Sequence, residues 1–273
     1  MKFNRSRAQA RAVAAYWNKD LNDRDWYSVK AADDDGKAEI RIYDVIGWPF
    51  VEAEQLLSEL DNLQASNIKV RINSPGGSVF EGMAIYNAFA DHKANITTQV
   101  DSLAASMASI IALAGNERLI YRNAQYMIHN PWTIMIGDHR DLYKEAEFLE
   151  TIRDQLAEIY VNVSGKKLAD IQQMMDEETW LTGAKAVEAG FMTKATTAGA
   201  GNARFDLSMY DHPPQSNEPT KKDLERALTR DAGLTRTQAL SVLQKGFDGL
   251  STRDAGENET LNAVLNLSKK FKD

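Results

Sequence analysis

The sequence predicts an α/β fold in which β-strands alternate with crossover helices. The first observation is that segments rich in β-branched residues recur at strand length, as in IKVRIN at 68–73 and ITTQVDS at 96–102. The second is that the stretch between them, 78–91, places apolar residues at helical spacing. This βαβα order is typical of α/β proteins with crossover helices.

The same local patterns predict the other elements in chain order. Ser78 and Glu81 predict a capping box at the start of the helix over 78–91, and Gly115 and Gly165 are expected to end two later helices. The predicted elements are strands at 26–31 and 38–47, a helix at 51–63, a strand at 68–73, a helix at 78–91, a strand at 96–102, a short helix at 105–114, strands at 118–121 and 125–128, a long helix at 138–163, and short helices near 168–175 and 183–189.

Composition divides the chain into four parts. Residues 1–25 read as a polar, partly helical leader, and residues 26–194 hold the strands and helices of one main domain. Residues 195–219 are rich in Ala, Gly, Asn, Pro and Ser, which predicts a linker. Leucines at helical spacing then predict a small helical tail over 220–273.

The composition excludes several kinds of function. The chain of 273 residues has no cysteine, so it forms no disulfide, no thiolate-ligated zinc site and no cysteine nucleophile. A net charge of −7 gives no reason to expect nucleic-acid binding. No apolar run approaches the ~20 residues that span a bilayer, and the N-terminus lacks an apolar stretch of signal-peptide length. We therefore expect a cytoplasmic protein that binds neither nucleic acid nor membranes.

The segment NSPGGSVFEG at 73–82 joins a predicted strand to a predicted helix. Paired glycines allow a tight turn and let backbone N–H groups face a ligand without an intervening Cβ. A plain strand–helix turn is the structural alternative. A phosphate-binding loop is disfavoured, because no Lys-Ser or Lys-Thr follows the glycines.

The segment DSLAASMASIIALAG at 101–115 surrounds Ser106 with small residues where a strand passes into an apolar helix. A serine at that point has its Oγ near the first amides of the helix, which can stabilise a developing oxyanion. The structural alternative is a close-packed junction of Ala and Ser without catalytic function.

The chain has four histidines, so a mechanism that needs an imidazole base has few candidates. His129 stands at the end of an apolar strand, directly before Asn-Pro. His92 ends a helix, His139 lies in a polar turn and His212 lies in the predicted linker. A metal site formed by Asp138, His139 and Asp141 is an alternative that the sequence disfavours, because no second histidine has helical or strand spacing to His139.

The motifs SPGG, AASM and MIHNP, taken together, resemble the ClpP family of serine peptidases (S14-type) over roughly residues 38–194. Their order and intervals match, with 32 residues from Ser74 to Ser106 and 23 from Ser106 to His129. The details NSPGGSVFEGMAIYNA, MIHNPWT and ETWLT resemble the viral branch, the head maturation (prohead) proteases of tailed bacteriophages. The stretch LERALTRDAGLTRTQALSVL resembles tails of that branch.

The resemblance implies a fold and a set of site residues. The fold would be a ClpP/crotonase-like spiral of ββα units with a long protruding helix, followed here by the small helical C-terminal tail. The nucleophile falls on Ser106 and the general base on His129. The backbone N–H groups of Gly77 and Met107 would form the oxyanion hole, and no cofactor is implied.

The third member of the triad departs from the family pattern. The family usually has an aspartate shortly before the helix that corresponds to the one near 183–189. Aligning MDEETWLTGAKAVEAG at 175–190 with that pattern puts Glu178 in the acid position. Asp176 and Glu177 are the competitors, and solvated acids without a catalytic role are the structural alternative.

The resemblance implies a serine endopeptidase that processes capsid and scaffold proteins inside a phage prohead in the bacterial host cytoplasm, assembled with itself as a ring-like homo-oligomer. One alternative is a housekeeping ClpP subunit fed by an ATP-driven unfoldase. Another is an acyl-CoA hydratase or isomerase, since the same architecture hosts those enzymes. The last is a catalytically inactive ClpP-like capsid-assembly or scaffold protein whose functional part is 195–273.

Overall fold

A computed structural model describes residues 7–17, 27–30, 33, 35–197, 207, 210, 211, 213 and 235. A compact unit spans Met1–Pro213 and holds all the described helices and strands, and a second unit spans Pro214–Asp273. The helices predicted in the tail lie outside the described residues. The boundaries at 25, 194 and 219 therefore stay predictions.

The described helices and strands follow the predicted αβ alternation. In chain order they are α1 (Arg7–Tyr16), β1 (Tyr27–Lys30), β2 (Lys37–Ile42), α2 (Ala53–Asn62), β3 (Asn67–Ser74), α3 (Val79–Ala90), β4 (Asn95–Ala105), α4 (Met107–Ala112), β5 (Glu117–Tyr121), β6 (Gln125–Ile128), α5 (His139–Ser164), α6 (Leu168–Asp176), β7 (Thr179–Thr182), α7 (Gly183–Glu188) and β8 (Lys194–Thr196).

The strands form one mostly parallel sheet, which confirms the predicted α/β class. Its main path runs β1-β2-β3-β4-β5-β8, with β6 paired to β4 and β7 paired to β6. The pairs β1–β2 and β6–β7 are antiparallel, and the other pairs are parallel. Parallel neighbours require crossover connections, which α2, α3 and α4 supply here.

The core lies between the sheet and its covering helices. Alternate residues of β2 and β3 are fully buried, as the apolar alternation of these strands predicts. Apolar side chains of α3, α4 and the second half of α5 pack against the same cluster. The first half of α5 is exposed, and the buried side chains of this helix begin at Ile152. The helix α5 as a whole has Asp138 as its N-cap. It ends at Gly165, which has the left-handed backbone conformation, as predicted.

Four predictions of local structure need correction. The strand predicted at 38–47 is β2, which ends at Ile42, where the regular alternation of apolar residues also ends. The strands β7 and β8 were not predicted, because each is so short that it shows little period-two alternation. The predicted helix at 105–114 begins only at Met107, since β4 continues to Ala105. The predicted capping box is half formed: Ser78 accepts from the amide of Glu81, but the Glu81 carboxylate accepts from the Ala53 amide at 2.6 Å.

Candidate active site

The serine and histidine predicted as a pair lie together at one edge of the sheet. The parallel strands β4 and β6 pair with Ala105 opposite Met127, and the Ser106 amide donates to the Met127 carbonyl at 3.1 Å. Because parallel strands end at the same edge of a sheet, the residues that follow them emerge side by side. The distance between Ser106 Oγ and His129 Nε2 is 2.9 Å.

Ser106 has an unusual backbone conformation, with φ of 55° and ψ of −127°. A non-glycine residue in this region costs about 1–3 kcal/mol, and such strain clusters at functional sites. The conformation turns the chain sharply from β4 into α4. Hydrogen bonds hold the turn, since the amide and the hydroxyl of Ser109 both donate to the Ser106 carbonyl, at 2.9 and 2.6 Å. The Tyr160 hydroxyl lies 2.7 Å from Ser109 Oγ and ties the turn to α5.

The Ser-Pro-Gly-Gly turn packs directly against the serine. Ser74 Oγ accepts from the Gly76 amide at 3.1 Å, and both glycines have positive φ, of 98° at Gly76 and 143° at Gly77. A Cβ on Gly76 would lie 2.6 Å from the Cβ of Ser106, and a Cβ on Gly77 would lie 2.1 Å from the Ile46 carbonyl oxygen. Both positions therefore require glycine on steric as well as conformational grounds.

The two backbone amides predicted as oxyanion donors have suitable surroundings. The Ile46 amide donates to the Gly76 carbonyl at 2.7 Å, and the Ser78 amide donates to the Ile46 carbonyl at 2.8 Å. This bridge leaves the Gly77 N–H pointing away from Ile46, because successive N–H groups of an extended chain point in opposite directions. Met107 is the first residue of α4, so its N–H has no carbonyl one turn earlier in the helix to bond to.

The three acidic candidates differ sharply in their surroundings. Glu178 is 8% exposed, whereas Asp176 and Glu177 are both exposed. Asp176 accepts a hydrogen bond from the Asn130 side chain at 2.7 Å, and Glu177 accepts one from Gln173 within α6 at 2.8 Å. Burial therefore distinguishes Glu178 from both of its neighbours.

The antiparallel pairing of β7 with β6 explains why Glu178 lies beside the histidine. In that pair Ile128 is opposite Thr179, so the next residue of one strand, His129, faces the preceding residue of the other, Glu178. Glu178 has a φ of 47°, in the turn between α6 and β7. The sequence pattern does not indicate β7, so the structure is what brings Glu178 opposite His129.

The electrostatic environment of His129 comes from burial and from nearby acids. Burial lowers the pKa of His129 below its ordinary value of 6.5, while the negative charges of Glu178 and Asp211 oppose that change. Burial has the larger effect, so the imidazole is neutral near pH 7. A neutral imidazole with Nε2 at 2.9 Å from a hydroxyl is able to accept its proton.

Glu178 is held by residues that sequence analysis did not single out. One carboxylate oxygen accepts from Trp180 Nε1 at 3.0 Å, and the other accepts from the backbone amide of Asp211 at 2.9 Å. Tyr210 packs its ring edge-on against His129, with ring centroids 5.5 Å apart. Residues 210 and 211 fall in the stretch predicted as a linker. The local signal available there was a group of apolar residues at 205–210, namely Phe205, Leu207, Met209 and Tyr210.

A cavity of about 250 Å³ opens beside the serine and histidine. Its wall includes residues of α1, which packs over Val45 and Phe50. The lining residues are Val13, Tyr16, Trp17, Val45, Ile46, Gly47, Trp48, Gly77, Ser78, Val79, Ser106, His129, Pro131, Trp132 and Tyr210. The predicted leader thus contributes a helix to the site, which the sequence did not indicate.

Within the described part of the chain, no three or more histidine, aspartate or glutamate side chains gather as a metal site would require. Across the same residues, no helix combines the length and apolarity needed to cross a membrane.

A serine hydrogen-bonded to a histidine beside a buried carboxylate, at the edge of a mostly parallel sheet, has the arrangement of a nucleophile with its base. The chain belongs to the Clp protease family, whose sequence model matches residues 40–198 and so spans Ser106, His129 and Glu178. Over 127 residues it is 38% identical to the ATP-dependent Clp protease proteolytic subunit 1 of Protochlamydia amoebophila (strain UWE25). That alignment covers 45% of this chain and 62% of the relative, so the chain spans less than two thirds of the relative's length.

Proposed function

We propose that this protein is a serine endopeptidase of the ClpP type that acts through Ser106, His129 and Glu178. The observation that carries the proposal is the 2.9 Å distance between Ser106 Oγ and His129 Nε2. The strained turn at Ser106 adds to it, because strain of this kind is retained where function requires it. Membership of the Clp protease family supports the same reaction class.

In the proposed mechanism, His129 transfers one proton from the serine hydroxyl to the leaving amine. Ser106 Oγ attacks the carbonyl carbon of the scissile peptide while His129 Nε2 takes the hydroxyl proton. The tetrahedral intermediate then expels the amine, which receives that proton from His129, and an acyl-serine ester remains. Water then attacks the ester while His129 takes one of its protons; the bond from the acyl carbon to Ser106 Oγ breaks, His129 returns that proton to Oγ, and the carboxylic acid product leaves.

Glu178 is the proposed triad acid in preference to Asp176 and Glu177. It is the buried one of the three, and its negative charge raises the pKa of His129. A carboxylate in this position stabilises the imidazolium that forms during attack and holds the ring in the productive tautomer. Its two oxygens accept from Trp180 and Asp211, so the carboxylate has a fixed orientation.

The amides of Gly77 and Met107 are the proposed oxyanion donors. The Gly77 N–H points away from Ile46, and Met107 begins the helix that follows the serine. Fixed backbone donors of this kind stabilise the negative oxygen that develops in the transition state without reorganisation.

The proposed biological role is processing of capsid and scaffold proteins inside a phage prohead, within the cytoplasm of the bacterial host. The viral-type motifs and the sequence beyond residue 198 motivate it. A ring-like homo-oligomer is part of the proposal. The exposed first half of α5 carries Leu142, Tyr143 and Phe148, which suits an inter-subunit surface better than a solvated one.

A second candidate is a proteolytic subunit that works with an ATP-driven unfoldase. The observation that favours it is the 38% identity to a subunit whose name specifies ATP-dependent proteolysis. The two roles share the chemistry at Ser106 and differ in the substrate and in the need for a partner.

A fluorophosphonate probe tests the chemistry directly. We expect the purified protein to be labelled at Ser106, and the Ser106→Ala and His129→Ala variants to lose labelling, because the probe reacts with a serine that a base has activated. Assembled, folded protein that stays unlabelled would contradict the proposal and favour an inactive shell. Labelling at another residue would contradict the assignment of Ser106.

A cleavage assay separates the two biological roles. We expect the protein alone to cut capsid or scaffold protein at defined sites, and the Ser106→Ala variant to leave them intact. Cleavage that occurs only with an unfoldase and ATP would instead assign the protein to the second role.

A further inference from the structure

We infer that Tyr210 and the backbone of Asp211, which lie beyond the part of the chain matched by the family, are positioning residues for Ser106, His129 and Glu178. The inference rests on the proposed function and adds to it. Neither residue is proposed to touch the substrate's reacting atoms. Their role is to keep Ser106, His129 and Glu178 at fixed positions relative to one another.

Tyr210 connects the histidine to the Ser-Pro-Gly-Gly turn. Its side chain is 6% exposed, and its ring meets the His129 ring edge-on at 75° with a centroid distance of 5.5 Å. The Tyr210 hydroxyl donates a hydrogen bond to the Pro75 carbonyl. One rigid side chain therefore limits rotation of the imidazole and fixes the turn that carries the Gly77 amide.

Tyr210 also packs against the ends of β4 and β6, the two strands that Ser106 and His129 follow. It forms a small apolar cluster with Leu103 and Ala105 of β4 and Met127 of β6. Trp180 of β7 meets the Tyr210 ring edge-on at 5.5 Å and joins the same cluster. The cluster lies directly before Ser106 and His129 in their strands, so a void at Tyr210 would allow both strand ends to shift.

Asp211 completes the arrangement on the acid side. Its amide donates to one oxygen of Glu178 at 2.9 Å, while Trp180 donates to the other at 3.0 Å. Two donors on the two oxygens prevent the carboxylate from turning away from the imidazole. Because the Asp211 donor is a backbone group, its placement depends on the anchoring of the neighbouring Tyr210 ring.

The two functions of Tyr210, ring packing and hydrogen bonding, can be separated by substitution. Tyr210→Phe keeps the ring against His129 and removes the bond to Pro75, so we expect kcat to fall by about 3- to 10-fold, the value of one hydrogen bond. Tyr210→Leu removes both, and a displacement of catalytic groups by about 1 Å lowers kcat by about 10²-fold. A positioning role predicts that the loss falls on kcat; because Tyr210 also lines the cavity, a rise in KM at unchanged kcat would assign it to substrate binding and contradict the inference.

The experiment measures the rate of fluorophosphonate labelling at Ser106, kcat and KM on a peptide substrate, and the midpoint of thermal unfolding. Tyr121→Leu is the matched control, because Tyr121 is a partly buried tyrosine of β5 that is not part of the cavity wall. We expect Tyr210→Leu to lose rate far beyond Tyr121→Leu at temperatures where both are folded. Tyr210→Phe should react about 10-fold or more faster than Tyr210→Leu, because it keeps the ring against His129.

Three further outcomes would overturn the inference. The first is a folded Tyr210→Leu protein that reacts within about twofold of the unaltered protein. The second is a Tyr121→Leu protein that loses as much rate at an equal loss of thermal stability. The third, decisive where Tyr210→Leu does not fold, is a Tyr210→Phe protein as fast as the unaltered one. An unaltered protein that is not labelled at all instead overturns the proposed function, together with this inference.

Discussion

The serine side of the candidate site comes from two neighbouring parallel strands, whereas its acid side is assembled from segments that lie far apart in the chain. Ser106 and His129 directly follow β4 and β6, which are hydrogen-bonded neighbours. Glu178 follows α6, and one of its oxygens is held by an amide 33 residues further along. The two sides therefore differ in how much of the chain must be in place before the side chains meet.

The two sides also differ in what holds their side chains in place. On the serine side the sheet register fixes the backbone, and the strained turn at Ser106 is held by bonds within α4 and to α5. On the acid side the carboxylate depends on Trp180 and on the residues around Tyr210. We expect changes on the serine side to act through geometry close to the bond being cleaved, and changes on the acid side to act through the histidine.

The largest expected effect concerns the proposed acid. Glu178→Gln removes a negative charge that offsets the cost of burying a positively charged imidazole. The glutamine amide group can also hydrogen-bond to His129 in the wrong tautomer. We expect kcat to fall by about 10⁴-fold with a small change in KM, as for loss of the orienting acid in a triad. A peptidase assay with purified protein measures the effect.

Asp176→Asn is the matched control for Glu178→Gln. It removes the same charge two residues earlier, from an exposed side chain that binds Asn130. We expect its kcat to stay within about twofold of the unaltered protein, since exposed charges contribute little. If Asp176→Asn loses activity and Glu178→Gln retains it, the triad acid is Asp176.

The serine side was more predictable from the sequence than the acid side, for physical reasons. The local patterns placed Ser106 where a strand passes into a helix and His129 at the end of a strand, and the pairing of β4 with β6 brings these two positions together. The resemblance to the ClpP family led to Glu178, but its position opposite the histidine depends on β7, which is four residues long and shows little periodicity. Tyr210 was not predicted, because the apolar residues at 205–210 stand in a stretch rich in Ala, Gly, Asn, Pro and Ser, and their pattern does not indicate which distant strands they pack against.

The next largest effect concerns the turn on the serine side. A Cβ in Gly77→Ala would lie 2.1 Å from the Ile46 carbonyl oxygen, at a φ of 143°. The turn must move, and the proposed oxyanion donor moves with it, so we expect kcat to fall by about 10²- to 10³-fold. The rate of acylation by an ester substrate measures this effect.

Gly165→Ala provides a control for the backbone strain alone. Gly165 also has positive φ, of 71°, but a Cβ there would meet nothing within 4 Å. We expect a loss of about 1 kcal/mol in stability with kcat retained. Equal losses of kcat in the two variants would show that strain, and not the position of the Gly77 amide, accounts for the effect.

The smallest expected effect is a shift in the acidic limb of the pH profile. A histidine can act as a base only when it is neutral, and burial lowers the pKa of His129, so we expect the labelling rate of Ser106 to rise with pH, with a midpoint below pH 6.5. Among the described residues, the titratable groups that act on the imidazole or pack against it are Glu178, Asp211 and Tyr210, and burial raises the pKa of the Tyr210 hydroxyl, which leaves it neutral. Asp211→Asn keeps the backbone donor to Glu178 but removes a negative charge that raises the pKa of His129. The midpoint should therefore move to lower pH in Asp211→Asn and stay in place in Asp176→Asn, and a shift to higher pH would contradict this account of the acid side.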